Sequence, residues 1–266
     1  MELRCSALSH VGRRHNNEDA YALAPELGLL VVADGMGGYE GGEVASQIVI
    51  DSLVEVFSRQ AADADATWPY APRPSREPLY DLVGVGLLHA HRSVLARREG
   101  PLARMGSTAV VAAWQGPRLV VGHVGDSRLY RLRDDRLEQL TQDHSVAEEA
   151  RRAGLSGDEV DTTGFRHMLT RAVGMPGELG AELSEWKIRA GDVLLLCSDG
   201  VWEPQSEAQI VEALRYPRPE DAVRSLIVRA YDEGGTDNMT ALVMTVGERL
   251  REFGGMKAWL PRRSGA

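Results

Sequence analysis

"LLVVADGMGGYEGGEVAS", residues 29–46, sets an apolar run against an aspartate and then five glycines within eight positions. A strand that runs through a glycine-rich turn into a helix is the usual frame of a phosphate cradle. Two features argue against that reading here. From Gly35 the dinucleotide fingerprint would need glycine at its sixth position, which is Glu40, and no Gly-Lys-Ser/Thr follows. Asp34, Glu40 and Glu43 would also repel a pyrophosphate. An aspartate followed at once by glycine suits a hard cation better, because carboxylate and backbone carbonyl can both act as ligands. The plainer reading is that Asp34 only turns the chain or caps the helix.

The rest of the chain decides between these two readings. "RLVVGHVGD" delivers Asp126 and "DVLLLCSD" delivers Asp199 at the ends of apolar strand candidates, as "LGLLVVAD" delivers Asp34. "NNEDAYAL" places Glu18 and Asp19, and "GGTDNMTALVMTV" places Asp237, where strands begin. Carboxylates gathered at several strand ends make independent caps the weaker account. Oxygen-only ligands select Mg²⁺ or Mn²⁺ over zinc.

"GGEVASQIVIDSLVEVFSRQ", "PLYDLVGVGLLHAHRSVLARRE" and "PEDAVRSLIVRAYDEGG" have helical spacing, and "RLYRLRDDRLEQLT" reads as a hairpin turning at Asp134-Asp135. Helices and antiparallel strands are mixed without regular alternation, so a doubly wound fold is not expected. Residues 61–78 carry four prolines and read as a loop between helices. The segment 146–168 begins helical and turns polar and glycine-punctuated. Residues 247–266 read as a mildly basic tail, which leaves 1–246 as a single domain.

Composition narrows the partners. The chain has 266 residues, 43% hydrophobic and 26% charged, with a formal charge of −9. That charge argues against general nucleic-acid or anionic-membrane binding. No apolar run approaches the roughly 18 residues of a membrane span, and no secretion signal is recognised at the N-terminus. The two cysteines, Cys5 and Cys197, have no metal-ligand spacing, and Cys197 lies in an apolar strand pattern. A reduced, cytoplasmic protein is expected, and a monomer.

"RHNNED" (14–19), "ADGMGG" (33–38), "VGDSRLY" (124–130), "LTQDHS" (140–145), "LTRAVG" (169–174), "LLLCSDGVWE" (195–203) and "GGTDNMT" (234–240) occur in that order. The series resembles the motifs of the metal-dependent Ser/Thr protein phosphatases, the type 2C or PPM family, in its compact bacterial form, over roughly residues 5–246. The resemblance implies an α+β fold, a four-layer α-β-β-α sandwich of two antiparallel sheets with a metal site at one edge. It implies hydrolysis of phosphoserine and phosphothreonine by direct attack of a metal-bridging hydroxide, using two Mn²⁺ or Mg²⁺ ions and a weaker third. Asp34 then matches the bridging carboxylate, Gly35 the carbonyl ligand, and Asp199 and Asp237 ligands of one ion. Asp126 matches a ligand of the third ion. Glu18 and Asp19 match acidic residues that hold metal-bound waters or orient the site, and Asn238 a residue supporting the metal aspartate. Arg14 matches the phosphate-binding arginine. Its loop, "SHVGRRH", is one residue shorter than in many relatives and carries His10 where they often have aspartate. Met36 stands where animal members have a histidine proposed as general acid, so that role does not carry over. His15 and His144 are the candidate proton donors, and Asp143 reads as structural.

The implied partners are phosphorylated proteins, including a Ser/Thr kinase and its substrates. Two alternatives stand beside this. One is a catalytically dead phosphoprotein-binding relative, against which Arg14, Asp34, Asp199 and Asp237 are all present. The other is a phosphatase of the anti-sigma-antagonist pathway, which commonly carries an added sensory domain.

Overall fold

The computed structural model describes residues 2–37, 41–63, 77–154 and 168–247. Two antiparallel sheets pack face to face. The first runs in the order β1 (Glu2–His10), β11 (Met239–Gly247), β10 (Val193–Cys197), β7 (Arg128–Arg133), β8 (Arg136–Gln139). The second runs β2 (Asp19–Ala24), β3 (Leu29–Met36), β5 (Ala109–Gln115), β6 (Arg118–Val124), β9 (Glu182–Lys187), with the short β4 (Gly106–Ser107) paired to the end of β3.

The period of two along each strand builds the four layers. On β3, Leu30 and Val32 face the opposing sheet and meet Leu194, Leu196, Leu242 and Met244. Their neighbours Leu29, Val31 and Ala33 face outward onto α1 (Gly41–Ala62) and α2 (Pro78–Ala96). On β10, Leu195 and Cys197 turn the other way, onto α5 (Glu207–Leu214) and α6 (Pro219–Asp232). A central strand covered on both faces must be apolar at every position, which is why residues 29–33 show no alternation. Proline at the first turn starts both α2 and α6. A Ser206–Gln209 capping box starts α5.

The hairpin at Asp134-Asp135 has both residues at positive φ, 50° and 59°, the pattern of a type I′ turn. Two shorter helices are α3 (Val146–Arg152), capped by the Ser145 side chain, and α4 (Asp199–Trp202). The loop expected over 61–78 is shorter at both ends, because α1 continues through Ala62 and α2 starts at Pro78; residues 64–76 lie outside the described residues. Of the segment 146–168, residues 155–167 lie outside them too. So does the expected tail beyond Gly247, which closes β11. Among the described residues no helix is long and apolar enough to cross a membrane.

Candidate active site

The β2–β3 ladder sets Asp19 directly opposite Asp34. Asp126 stands in the connection from β6 to β7, where the chain passes between sheets. Asp199 opens α4 just after β10, and Asp237 lies just before β11. Strand ends from both sheets therefore converge on one edge of the sandwich. There they line a cavity of about 770 Å³ with Arg14, Glu18, Asp34, Gly35, Asp126, Asp199, Asp237 and Asn238. Asp19 sits behind this surface. Its Oδ2 accepts a 2.7 Å hydrogen bond from the Ser198 hydroxyl, which in turn accepts from the Thr240 amide.

The glycine after Asp34 has a packing reason. A Cβ on Gly35 would stand 2.0 Å from the Gly42 carbonyl oxygen and 2.6 Å from that of Glu18. Strand end, helix start and acidic loop meet at that point, so no side chain fits.

Electrostatics mark the cluster as unfinished without positive charge. Burial and then the carboxylates of Asp19, Asp199, Asp126 and Asp237 hold Asp34 well above the usual carboxylate range. Burial, with neighbouring aspartates adding, pushes Asp19 and Asp126 up to about 7 and Asp199 to about 6. Asp19 Oδ1 and Asp199 Oδ1 are buried with no hydrogen-bond partner. Orphaned buried carboxylate oxygens are costly unless something cationic completes them. An all-oxygen donor set of this kind fits Mn²⁺ or Mg²⁺.

Positive charge reaches the cavity from the loop before β2. Arg14 donates to Asp237 Oδ2 at 2.7 Å. Arg13 also lines the cavity, but its guanidinium lies 5.1 Å over the Tyr231 ring. Asn238 braces this loop. Its Oδ1 accepts from the Glu18 amide at 2.8 Å, and its Nδ2 donates to the carbonyls of Val11 and Asn16 at 2.9 Å. Of the two histidines read as proton donors, His15 lines the cavity. His144 is buried away from it, and its neighbour Asp143 forms a bidentate pair with Arg128.

Residues that sequence reasoning missed tie the parts together. Thr108 Oγ1 accepts from the Asp34 amide at 3.0 Å and lies 2.7 Å from Ser127 Oγ, one residue from Asp126. Met168, Leu169 and Met175 join Met36 in an apolar wall of the cavity. No sequence signal marks Thr108, Met168 or Met175 as site residues.

Residues 8–243 match the family model described as Protein phosphatase 2C. The Serine/threonine protein phosphatase PstP of Mycobacterium tuberculosis is 37% identical over 252 residues, covering 92% of this chain. The chain spans 45% of the length of that relative. The Serine/threonine phosphatase stp of Listeria innocua is 32% identical over 240 residues, covering 87% of this chain and 90% of the relative. A solved catalytic domain of PstP in complex with two manganese ions superposes with a TM-score of 0.76 at 35% identity, covering 92% of this chain and 99% of that one. With a family match over most of its length, and the fold and acidic edge described above, the chain belongs to the protein phosphatase 2C family.

Proposed function

We propose that this chain is a Mn²⁺- or Mg²⁺-dependent protein phosphatase acting on phosphoserine and phosphothreonine, with residues 1–246 as its catalytic domain. The observation that carries the reading is the convergence of Asp19, Asp34, Asp126, Asp199 and Asp237 on one edge, with two buried carboxylate oxygens left without partners. Asp34, the Gly35 carbonyl, Asp199 and Asp237 would hold two catalytic ions, and Asp126 a weaker third. Bound ions of this kind supply Lewis-acid polarisation of the phosphoryl group and a water acidic enough to attack it directly, without a covalent phosphoenzyme.

The chain's own side chains do the remaining work. Arg14, half in solvent, presents a planar fork that can take two phosphoryl oxygens and set the ester in line for attack. Glu18 and Asp19 would hold waters around the bound ions or orient the site. Asn238 fixes the loop that carries Arg14 and Glu18 relative to Asp237. Buried Cys197 is the strand residue facing α5 and α6, and burial pushes its thiol up, so it offers no nucleophile. The substrates are phosphoproteins made by a Ser/Thr kinase, which this enzyme would oppose.

Hydrolysis of p-nitrophenyl phosphate by protein stripped with EDTA tests the reading. Turnover should be absent after stripping and return with Mn²⁺ or Mg²⁺. Full activity in EDTA, or stimulation by Zn²⁺ alone, would contradict it.

A further inference from the structure

Behind the acidic edge lies a second group of titratable side chains. The ligand-capable atoms of His123, His144 and Glu182 lie within 4.8 Å of one another. The two imidazoles stack with centroids 4.8 Å apart and planes 19° from parallel. Two nitrogens and a carboxylate at that spacing have the composition of a metal site, but the hydrogen bonds exclude one. The Gly125 amide donates to His144 Nδ1 at 3.2 Å. An N–H donor requires Nδ1 to be unprotonated, so the neutral ring carries its proton on Nε2. Glu182 Oε1 lies 3.3 Å from Nε2 and is the acceptor within reach of that proton. Arg171 Nη1 donates to the same oxygen at 2.9 Å; its 3.3 Å approach to Nε2 is then a contact between two donors, not a hydrogen bond. A cation at Nε2 would have to displace this proton to Nδ1, against the Gly125 N–H, and would sit beside a guanidinium.

The cluster instead fixes one tautomer, and the tautomer holds one amide. Glu182 takes the Nε2 proton, which leaves the Nδ1 lone pair for Gly125. His144 also donates its own backbone amide to the Gly125 carbonyl at 2.9 Å, so Gly125 is held from both sides. Gly125 has φ +101°, and a Cβ there would stand 2.6 Å from Thr108 Cγ2, so only glycine fits this turn. Its neighbour Asp126 is repelled by Asp199 and Asp143. A second brace comes through the residue before His144. Asp143 pairs with Arg128, whose guanidinium lies 3.3 Å over the Trp202 ring, and Trp202 Nε1 donates to the Asp126 carbonyl at 3.1 Å. The adjacent residues Asp143 and His144 therefore grip the Asp126 turn from two directions.

We propose that His144 is a positioning residue for Asp126: its unprotonated Nδ1 anchors the Gly125 amide and so sets where the Asp126 carboxylate stands in the acidic cavity. The inference rests on the reading of Asp126 as ligand of the weaker ion. Burial, followed by His123 and Arg171, keeps the ring neutral, with its pKa down to about 4, so the acceptor persists at working pH.

The test is a Mn²⁺ titration by calorimetry on the full chain, together with hydrogen exchange at the Gly125 amide. His144→Leu removes the acceptor and keeps the bulk. His144→Asn can present Oδ1 near the Nδ1 position. Residues that orient a ligand typically change metal affinity by about 10–100-fold when removed. His144→Leu should weaken the weakest Mn²⁺ site by that factor, leave the tighter ions unchanged, and speed Gly125 exchange. His144→Asn should restore both readouts to within roughly threefold, as a retained hydrogen bond would. Should His144→Leu fail to fold, Glu182→Leu at its half-exposed site removes the tautomer anchor, and it should shift both readouts the same way by a smaller factor. Faster Gly125 exchange with unchanged weak-site affinity would overturn the proposal, as would unchanged exchange. Asp126→Ala separates the two failures. If it leaves the weak site intact, the reading of Asp126 falls, whereas the exchange measurement still decides whether His144 holds the turn.

Discussion

Asp19 and Asp34 face each other across the β2–β3 ladder, on adjacent strands at the edge where Asp199 and Asp237 also arrive. Like charges directly opposite in a sheet are destabilising. This sheet places them there anyway, both half-buried.

Asp34→Asn should therefore separate function from stability. It removes one charge from a repelling cluster with little change of shape. Mn²⁺-dependent turnover should be abolished, circular dichroism should be unchanged, and the metal-free protein should melt higher. The gain is about 1.4 kcal/mol for each pKa unit that burial and repulsion had cost. Loss of the native spectrum would mean that Asp34 is a structural residue.

The pH dependence follows from the same cluster. Asp19 and Asp126 at about 7 and Asp199 at about 6 keep protons in the folded state that an unfolded chain has already released. Their contribution to stability is full below pH ~4 and is lost as pH rises through 6 to 7. His91, His123 and His144, buried and held below their ordinary range, act in the opposite sense over part of that window. The diagnostic quantity is thus the rise in Tm on adding Mn²⁺, in which the histidine contribution cancels. Protons compete with the cation, so that rise should be larger at pH 7.5 than at pH 5.5. An equal rise at both pH values would contradict the assignment of these carboxylates as ligands.

Arg14 separates substrate binding from cation binding. Its ion pair with Asp237 joins side chains that are 56% and 38% exposed, and exposed pairs contribute only about 0–1 kcal/mol. Arg14→Ala should accordingly change Mn²⁺ affinity by no more than roughly fivefold, while kcat/KM falls about 10- to 150-fold through loss of a charged contact. Arg14→Lys should recover only part, since it lacks the fork. Arg13→Ala, whose guanidinium rests on Tyr231, is the control and should be nearly silent. Equal damage at Arg13 would move the phosphate role to that residue.

A purely structural prediction concerns Asp192, which is fully buried and takes two 2.6 Å hydrogen bonds from Arg133 as well as the Arg189 amide. Asp192→Ala leaves the Arg189 amide unpaired, while the partly exposed Arg133 guanidinium keeps the Lys187 carbonyl. It should cost about 1–3 kcal/mol in urea unfolding. A cost under about 1 kcal/mol would show that water replaces the carboxylate.

Legibility in the sequence followed burial. Residues 29–33 and 193–197 belong to central strands covered on both faces, so their apolar runs are plain. β1 and β9 are edge strands with one partner each, half-exposed; in "ELRCSALSH" Leu3, Cys5 and Ala7 alternate onto the inter-sheet core but only one of them is a large apolar residue, and "ELSEWK" shows no usable period. The four-residue helix at Asp199 is too short to leave a periodic trace. At the site, the carboxylates could be read because their chemistry lies in residue type and in their placement at strand ends. Thr108, Ser127 and Ser198 could not, because each acts through partners far away in the chain, as in the bond from Ser198 to Asp19.

The central claim is that the acidic edge holds divalent cations which drive phosphate hydrolysis. The most direct test is phosphate release from a phosphoserine peptide, measured against free Mn²⁺ for the wild-type chain and for Asp199→Asn. The wild type should show no release without metal and a saturable rise with Mn²⁺. Asp199→Asn, still folded, should stay near the baseline at the Mn²⁺ concentrations that saturate the wild type. Release that is independent of Mn²⁺, or equal in the two proteins, would contradict the account.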